Sequence, residues 1–298
     1  MPPFNLESSP LMQRIVELKE HGYADKDNFD YAPEDFADAI DNYNRVLEVA
    51  GDITANTVAV NAEDVDAEGP HCEDGRALLY QTSRYVDIYK GLEDIERERK
   101  LTDEEKAELK LYTKLASACT PLAKGMNSEY ANLNAYDSIQ VHGGSGYMLE
   151  YACQRLYRDA RITSIYEGTT QLQTVAALPH ITTGTYSQML EELEGQDVRP
   201  EYEALKARAK AMDAKYNEAI EYVKATENNE FLDLCARHLY EMAANCVMSQ
   251  LLLRDATKAP ELFEKSMKVY LNMAEAEVAK HYNLVKSLDV AQLENYKK

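Results

Sequence analysis

The 298-residue sequence predicts an all-α protein built from helical bundles, and three observations carry that reading. Only twelve glycines and nine prolines interrupt it, while Ala, Leu, Glu and Lys, all strong helix formers, recur throughout. Apolar residues return at three- and four-residue spacings over most of the chain, the period of a helix with one buried face. No segment shows the two-residue alternation of a half-buried strand. A hydrophobic content of 45% is ample for a core in a chain of this length.

The elements follow in order. In "SSPLMQRIVELKEHG", Ser9 is placed to cap a helix, Pro10 to open its first turn and Gly22 to stop it. Phe36, Ile40, Val46 and Val49 line one face of a second helix. Residues 61–76 are acidic and aperiodic and predict a loop, so residues 1–76 read as a partial N-terminal helical domain. A new helix opens at Ala77, with Leu78, Thr82, Tyr85, Tyr89 and Leu92 along its seam. Thr102 and Glu105 have the capping-box spacing that starts another. Its seam runs through Leu115, Cys119, Leu122, Met126, Tyr130 and Leu133 to Ile139, with a kink or brief break expected at Pro121 and a stop at Gly143-Gly144. A helix around "CQRLYRDAR" follows, and another that Pro179 should end. Residues 77–194 thus form a second helical domain, "GQDVRP" at 195–200 reads as a joint, and 195–298 form an extra domain of three helices. The segment "FLDLCARHLYEMAANCVMSQLLL" is apolar on more than one face and should be its central helix.

Composition narrows the function. A formal charge of −20 repels nucleic-acid phosphates and anionic lipid, so neither nucleic acid nor membrane is the expected partner. Five widely spaced cysteines without a CxxC pair read as reduced thiols. The N-terminus lacks the pattern of a signal peptide, and the expected compartment is the cytoplasm. With 21 tyrosines and no tryptophan, tyrosine must supply the large aromatic packing while its hydroxyl finds water or a partner.

Three short stretches carry candidate chemistry. In "QVHGGSGY" (Gln140 to Tyr147), three glycines in four residues permit a close approach of backbone to a ligand, and equally suit the end of a long helix. The preceding helix excludes a dinucleotide fingerprint, and the G-x-S-x-G spacing of a serine-hydrolase elbow is missed by one residue. In "YEGT", Thr169 is placed to cap a helix, with Glu167 near the positive end of its dipole. That arrangement suits an ordinary helix start or an ionised base. In "RLYRDARI", Arg155, Arg158 and Asp159 are spaced for ion pairs on a helix surface. His142 and His180 stand outside any metal-binding pattern, and no metal is expected.

Taken together, "YDSIQVHGGSGYMLEYACQRLYRDARITSIYEGTTQLQ" resembles the signature region of the acyl-CoA dehydrogenases. That family has Q-x-x-G-G-x-G-[YF], then R-x-x-R-D-A, then I-Y-E-G-T-x-x-x-Q, and all three stand here in order. The resemblance implies FAD as cofactor, an acyl-CoA substrate, electron-transfer flavoprotein as acceptor, and a homodimer or homotetramer. It makes Glu167 the catalytic base that removes the proton next to the thioester carbonyl, in a closed pocket that burial keeps basic. The base's own backbone N–H helps to hold the thioester oxygen. Tyr166 and Gly168 would touch substrate. Gln140, Val141, His142, Gly143 and Gly144 would meet the ADP half of FAD, usually from a neighbouring subunit, and Thr169, Thr170 and Gln171 would also meet FAD.

The chain is similar to a longer subgroup, the methylmercaptopropionyl-CoA dehydrogenases, which carry extra helices after the signature. It departs from the family between "HCEDGR" and "ALLYQTS", where the middle β-domain has no counterpart. Gly75-Arg76-Ala77 therefore reads as a join, made by an internal deletion or by a sequence closed up over an omitted segment. A non-catalytic helical scaffold without flavin and an acyl-CoA oxidase are the alternative readings.

Overall fold

A computed structural model describes residues 10–29, 32–44 and 71–296. Among them every regular element is helical. The α-helices are α1 (Pro10–Lys19), α2 (residues 36–44), α3 (His71–Glu98), α4 (Asp103–Val141), α5 (Gly144–Tyr147), α6 (Ala152–Thr163) and α7 (Thr170–Thr182). They continue with α8 (Thr185–Glu194), α9 (Glu203–Lys224), α10 (Asn229–Lys258), α11 (Pro260–Ser287) and α12 (Val290–Tyr296). Two compact units result, residues 1–68 with 81–117, and residues 69–80 with 118–298. None of the described helices is long and apolar enough to cross a membrane.

In the first unit, Ile15 and Leu18 of α1 pack on Ile88 and Leu92 of α3, with Leu109 and Tyr112 of α4 beside them. Gly91 permits this approach, because a Cβ there would lie 2.8 Å from the Leu18 Cβ. Val16, one residue round the helix, meets Ala39 and Ile40 of α2, flanked by Phe36. The expected capping box opens α4: the Thr102 N–H donates to Glu105 Oε2 (2.8 Å) and the Glu105 N–H to Thr102 Oγ1 (3.2 Å). Arg99 binds both oxygens of the same carboxylate and, with Thr102, holds its pKa down at about 2.

In the second unit α10 is central, as its all-round apolar pattern requires. It buries Phe231, Leu239, Tyr240, Met242, Val247 and Leu252, among others, against α7, α8, α9 and α11. Buried tyrosines tie this core to α4: the Tyr186 hydroxyl donates to the Ala118 carbonyl (2.7 Å) and the Tyr240 hydroxyl to the Pro121 carbonyl (2.9 Å). Tyr270 donates to Asn245 (3.0 Å), whereas the buried Tyr216 hydroxyl has no partner among the described residues.

Several expectations are corrected. Residues 71–76 belong to α3 and not to a loop, so the join at 75–77 lies inside an unbroken helix. A helix held by buried Ala77 and Leu78 extends upstream cheaply once nucleated. Of the kink or break expected at Pro121, the break does not occur: α4 runs on through it, and the Tyr186 and Tyr240 hydroxyls bond the neighbouring carbonyls of Ala118 and Pro121. Pro179 does not end α7, which runs to Thr182. The Thr182 and Thr183 hydroxyls donate to carbonyls 178 and 179, and the face around Val175 is open to water. The 195–200 segment connects α8 to α9 within the second unit. The seam of α4 is half-buried at Leu115, buried from Cys119 to Met126, and then opens: Leu133 is 55% exposed. Ser9, Val46, Val49 and residues 61–70 lie outside the described residues.

Candidate active site

The end of α4 builds the first feature. Gly143 takes φ +59° and ψ −140°, closed to other residues without strain, and turns the chain out of the helix. Gly146 seats the turn, since a Cβ there would meet the Ile139 carbonyl at 2.6 Å. His142 fixes its ring by Nδ1 to the Ser138 carbonyl (2.8 Å), with Cys153 Sγ at 3.4 Å. Gln140, Val141, Gly143 and Gly144 are left exposed, and Gly143 and Gly144 have open space where a Cβ would point. Arg155, Arg158 and Asp159 are exposed on α6 and form no ion pair among the described residues. Such surface pairs gain too little to hold long side chains in place.

The second feature is the turn between α6 and α7. The Tyr166 N–H reaches back to the Ile162 carbonyl (3.0 Å) and the Thr170 N–H closes on the Ser164 carbonyl (3.3 Å). Between them Glu167 has φ +52° and Gly168 φ +96°. A left-handed conformation costs an L-residue about 1–2 kcal/mol, so Glu167 is held there by its surroundings. Lys124 Nζ donates to the Gly168 carbonyl at 2.5 Å and sits 5.8 Å from the Tyr166 ring centre. Gln173 Nε2 donates to the Gly168 carbonyl (3.2 Å) and, more loosely, to that of Glu167 (3.4 Å). Thr169 caps α7 through the Leu172 N–H (3.4 Å), and Thr170 Oγ1 donates to Glu129 (2.6 Å). The N–H groups of Glu167, Gly168 and Thr169 have no acceptor among the described residues. Three unpaired donors at a helix start, beside an acidic side chain, can hold an electronegative oxygen next to a proton acceptor.

The Glu167 carboxylate is exposed, which differs from the closed pocket expected of a base. Tyr166 is half-exposed and Gln171 exposed, while Thr170 is buried. Glu167 lines neither of two sizeable cavities. One, of 430 Å³, lies among Ile181, Glu191, Glu194, Asn217 and Lys224; the other, of 850 Å³, lies in the first unit near Arg14 and Asp87. The glycine turn and the Glu167 turn flank opposite ends of α6, whose twelve residues rise about 18 Å. One chain therefore does not bring its two motifs onto one small ligand. Apolar side chains are exposed at both ends: Tyr147 (80% exposed) and Leu149 (84%) follow the glycine turn, and Ile162 and Ile165 precede Glu167. Sequence reasoning missed Lys124, Glu129 and any role for Gln173. Gln173 at least stands in the signature, whereas nothing in the sequence pairs α4 side chains with the turn.

Residues 100–177 match the family profile for the acyl-CoA dehydrogenase C-terminal domain, and residues 182–293 match a second profile, acyl-CoA dehydrogenase C terminal. Both profiles describe acyl-CoA dehydrogenase C-terminal regions, each matched over less than half of this chain. Over 59 residues, 20% of this chain and 14% of the relative, it is 49% identical to the long-chain specific acyl-CoA dehydrogenase of Sus scrofa mitochondria. It is 48% identical over 52 residues to a subunit of the caffeyl-CoA reductase–Etf complex of Acetobacterium woodii, covering 17% of this chain and 14% of that one. These matches span about a seventh of the length of the curated relatives. A solved acyl-CoA dehydrogenase from Bacillus anthracis, complexed with FAD, shares the fold. It superposes with TM-score 0.50 at 18% identity, over 77% of this chain and 44% of that one. Over the superposed part this chain thus has the helical fold of that structure, and among its described residues there is no strand.

Proposed function

We propose that this chain carries the base and flavin-contacting segments of an FAD-dependent acyl-CoA dehydrogenase, with Glu167 as the base. The observation that carries the reading is the Glu167 turn: a left-handed acidic residue, projecting outward, beside free N–H donors at the start of α7. Those donors are suited to the thioester oxygen, whose polarisation acidifies the adjacent C–H. Glu167 then accepts that proton while Tyr166 and Gly168 border the acyl chain. With FAD bound, the flavin would supply the acceptor for a hydride from the next carbon. The exposed glycine turn of residues 140–144 fits the ADP half of FAD, and its separation from Glu167 supports a turn that serves a second copy of the chain. Thr169, Thr170 and Gln171, at the positive end of α7, suit the cofactor's polar groups.

The exposed apolar side chains at Tyr147 and Leu149, and at Ile162, Ile165 and Leu172 beside Glu167, support self-association as a homodimer or homotetramer, and a partner on the latter group would wall in Glu167. Electron-transfer flavoprotein is the proposed acceptor, a partner named for the relative from Acetobacterium woodii. The exposure of Glu167 favours a second reading when the chain stands alone: a helical scaffold that binds no flavin. Titration with FAD separates the two. A yellow, stoichiometric complex supports the dehydrogenase, and Glu167→Gln should then keep the flavin and lose turnover. Protein that stays colourless with excess FAD supports the scaffold.

A further inference from the structure

We infer that Lys124, through its hydrogen bond to the Gly168 carbonyl, is the positioning residue that sets the direction of the Glu167 turn. The inference rests on the reading of Glu167 as base and adds to it the device that aims it. Residues 167 and 168 are consecutive left-handed residues, the first of them not glycine, and such a pair persists only where other groups fix it. The fixing groups come from two helices. Lys124 of α4 donates from an ammonium at 2.5 Å, a charge-assisted bond stronger than a neutral one. Gln173 of α7 donates to the same carbonyl at 3.2 Å.

The consequence is directional. No peptide bond in the described residues is cis, and in a planar trans peptide the N–H points opposite to the C=O. Drawing the Gly168 carbonyl toward Lys124 therefore turns the Thr169 N–H away from it. Drawing the Glu167 carbonyl toward Gln173 does the same for the Gly168 N–H. These are N–H groups left without an acceptor beside the carboxylate. The Lys124 ammonium also lies against the Tyr166 ring, so one cation braces residues on both sides of Glu167. Position 124 itself touches no reacting atom in this scheme; it acts through the backbone.

Hydrogen–deuterium exchange on the 298-residue chain reads the turn without requiring flavin. Lys124→Met keeps the alkyl stem and removes the donor. It is expected to speed exchange of the Tyr166 and Thr170 amides about tenfold, with buried α10 amides unchanged. Lys124→Arg should restore part of that protection. Unchanged exchange at Tyr166 and Thr170, or an equal rise in α10, overturns the inference. Should Lys124→Met fail to fold, Gln173→Leu removes the other donor to the same carbonyl, with the same expected and contrary results. In flavin-loaded enzyme, Lys124→Met should lower kcat about tenfold and change KM by less than about twofold. Full kcat in Lys124→Met beside an inactive Glu167→Gln overturns the positioning role alone. An active Glu167→Gln overturns the reading of the base instead.

Discussion

Gly125 of α4 faces the Tyr240 hydroxyl of α10, and it offers a test of how the signature helix is held. A Cβ built on Gly125 would lie 2.0 Å from the Tyr240 hydroxyl oxygen and 3.0 Å from its Cζ. Ordinary contact begins near 3.4 Å, so in Gly125→Ala the hydroxyl must retreat by about 1.4 Å. Tyr240 is fully buried and its hydroxyl bonds the Pro121 carbonyl at 2.9 Å, so the retreat breaks that bond. Overpacking costs about 1–3 kcal/mol, and the lost buried hydrogen bond adds about 1 kcal/mol. Replacing glycine by alanine inside a helix returns about 1 kcal/mol. The net expectation is a destabilisation of about 1–3 kcal/mol, read as a fall in the urea midpoint with an unchanged slope. In a Tyr240→Phe background the worst contact is gone and the penalty of Gly125→Ala should shrink. A Gly125→Ala protein as stable as the parent, or an equal penalty in both backgrounds, would refute the contact and leave helix propensity as the larger effect.

Burial beside His238 and Lys280 holds the His281 pKa down at about 4, against 6.5 in the unfolded chain. Between those pH values the unfolded chain binds more protons, so this contribution is full above pH 6.5 and is lost as pH falls toward 4. The stability difference between wild type and His281→Gln should therefore change by up to about 3 kcal/mol across that window in urea titrations; a flat difference contradicts it. Asp213 acts in the opposite sense: burial raises its pKa from 3.8 to about 7, so stability is lost as pH rises between those values. Asp213→Asn should accordingly gain stability relative to wild type at pH 8, measured the same way, and no gain would contradict the buried carboxyl's cost. At the exposed apolar surface, Tyr147→Lys with Leu149→Lys should lower the sedimentation-derived mass of any oligomer, and an unchanged mass would place self-association elsewhere.

The fold was legible because its signals are local and periodic. Thr102 with Glu105 encodes a cap within four residues, and the apolar circumference of residues 231–253 encodes a central helix. The errors came where distant residues overrule local preference. Pro121 reads as a kink or a break, yet α4 continues through it, with hydroxyls from α8 and α10 on the carbonyls beside it. Pro179 reads as a stop, yet threonine hydroxyls and solvent satisfy the last turn of α7. At the site, Gly143, Gly146 and Gly168 were legible as glycines because their backbone or close packing requires them. Lys124 was not, because a lysine in a helical repeat looks the same whether its ammonium meets water or a carbonyl on a turn 44 residues away.

The decisive measurement is anaerobic mixing of acyl-CoA with the FAD-supplied protein, comparing the parent with Glu167→Gln. If Glu167 is the base, the parent's flavin absorbance bleaches within the mixing experiment and the Glu167→Gln protein stays yellow. Equal bleaching in both would contradict that role for Glu167, and a parent that binds FAD yet never bleaches would contradict the dehydrogenase itself.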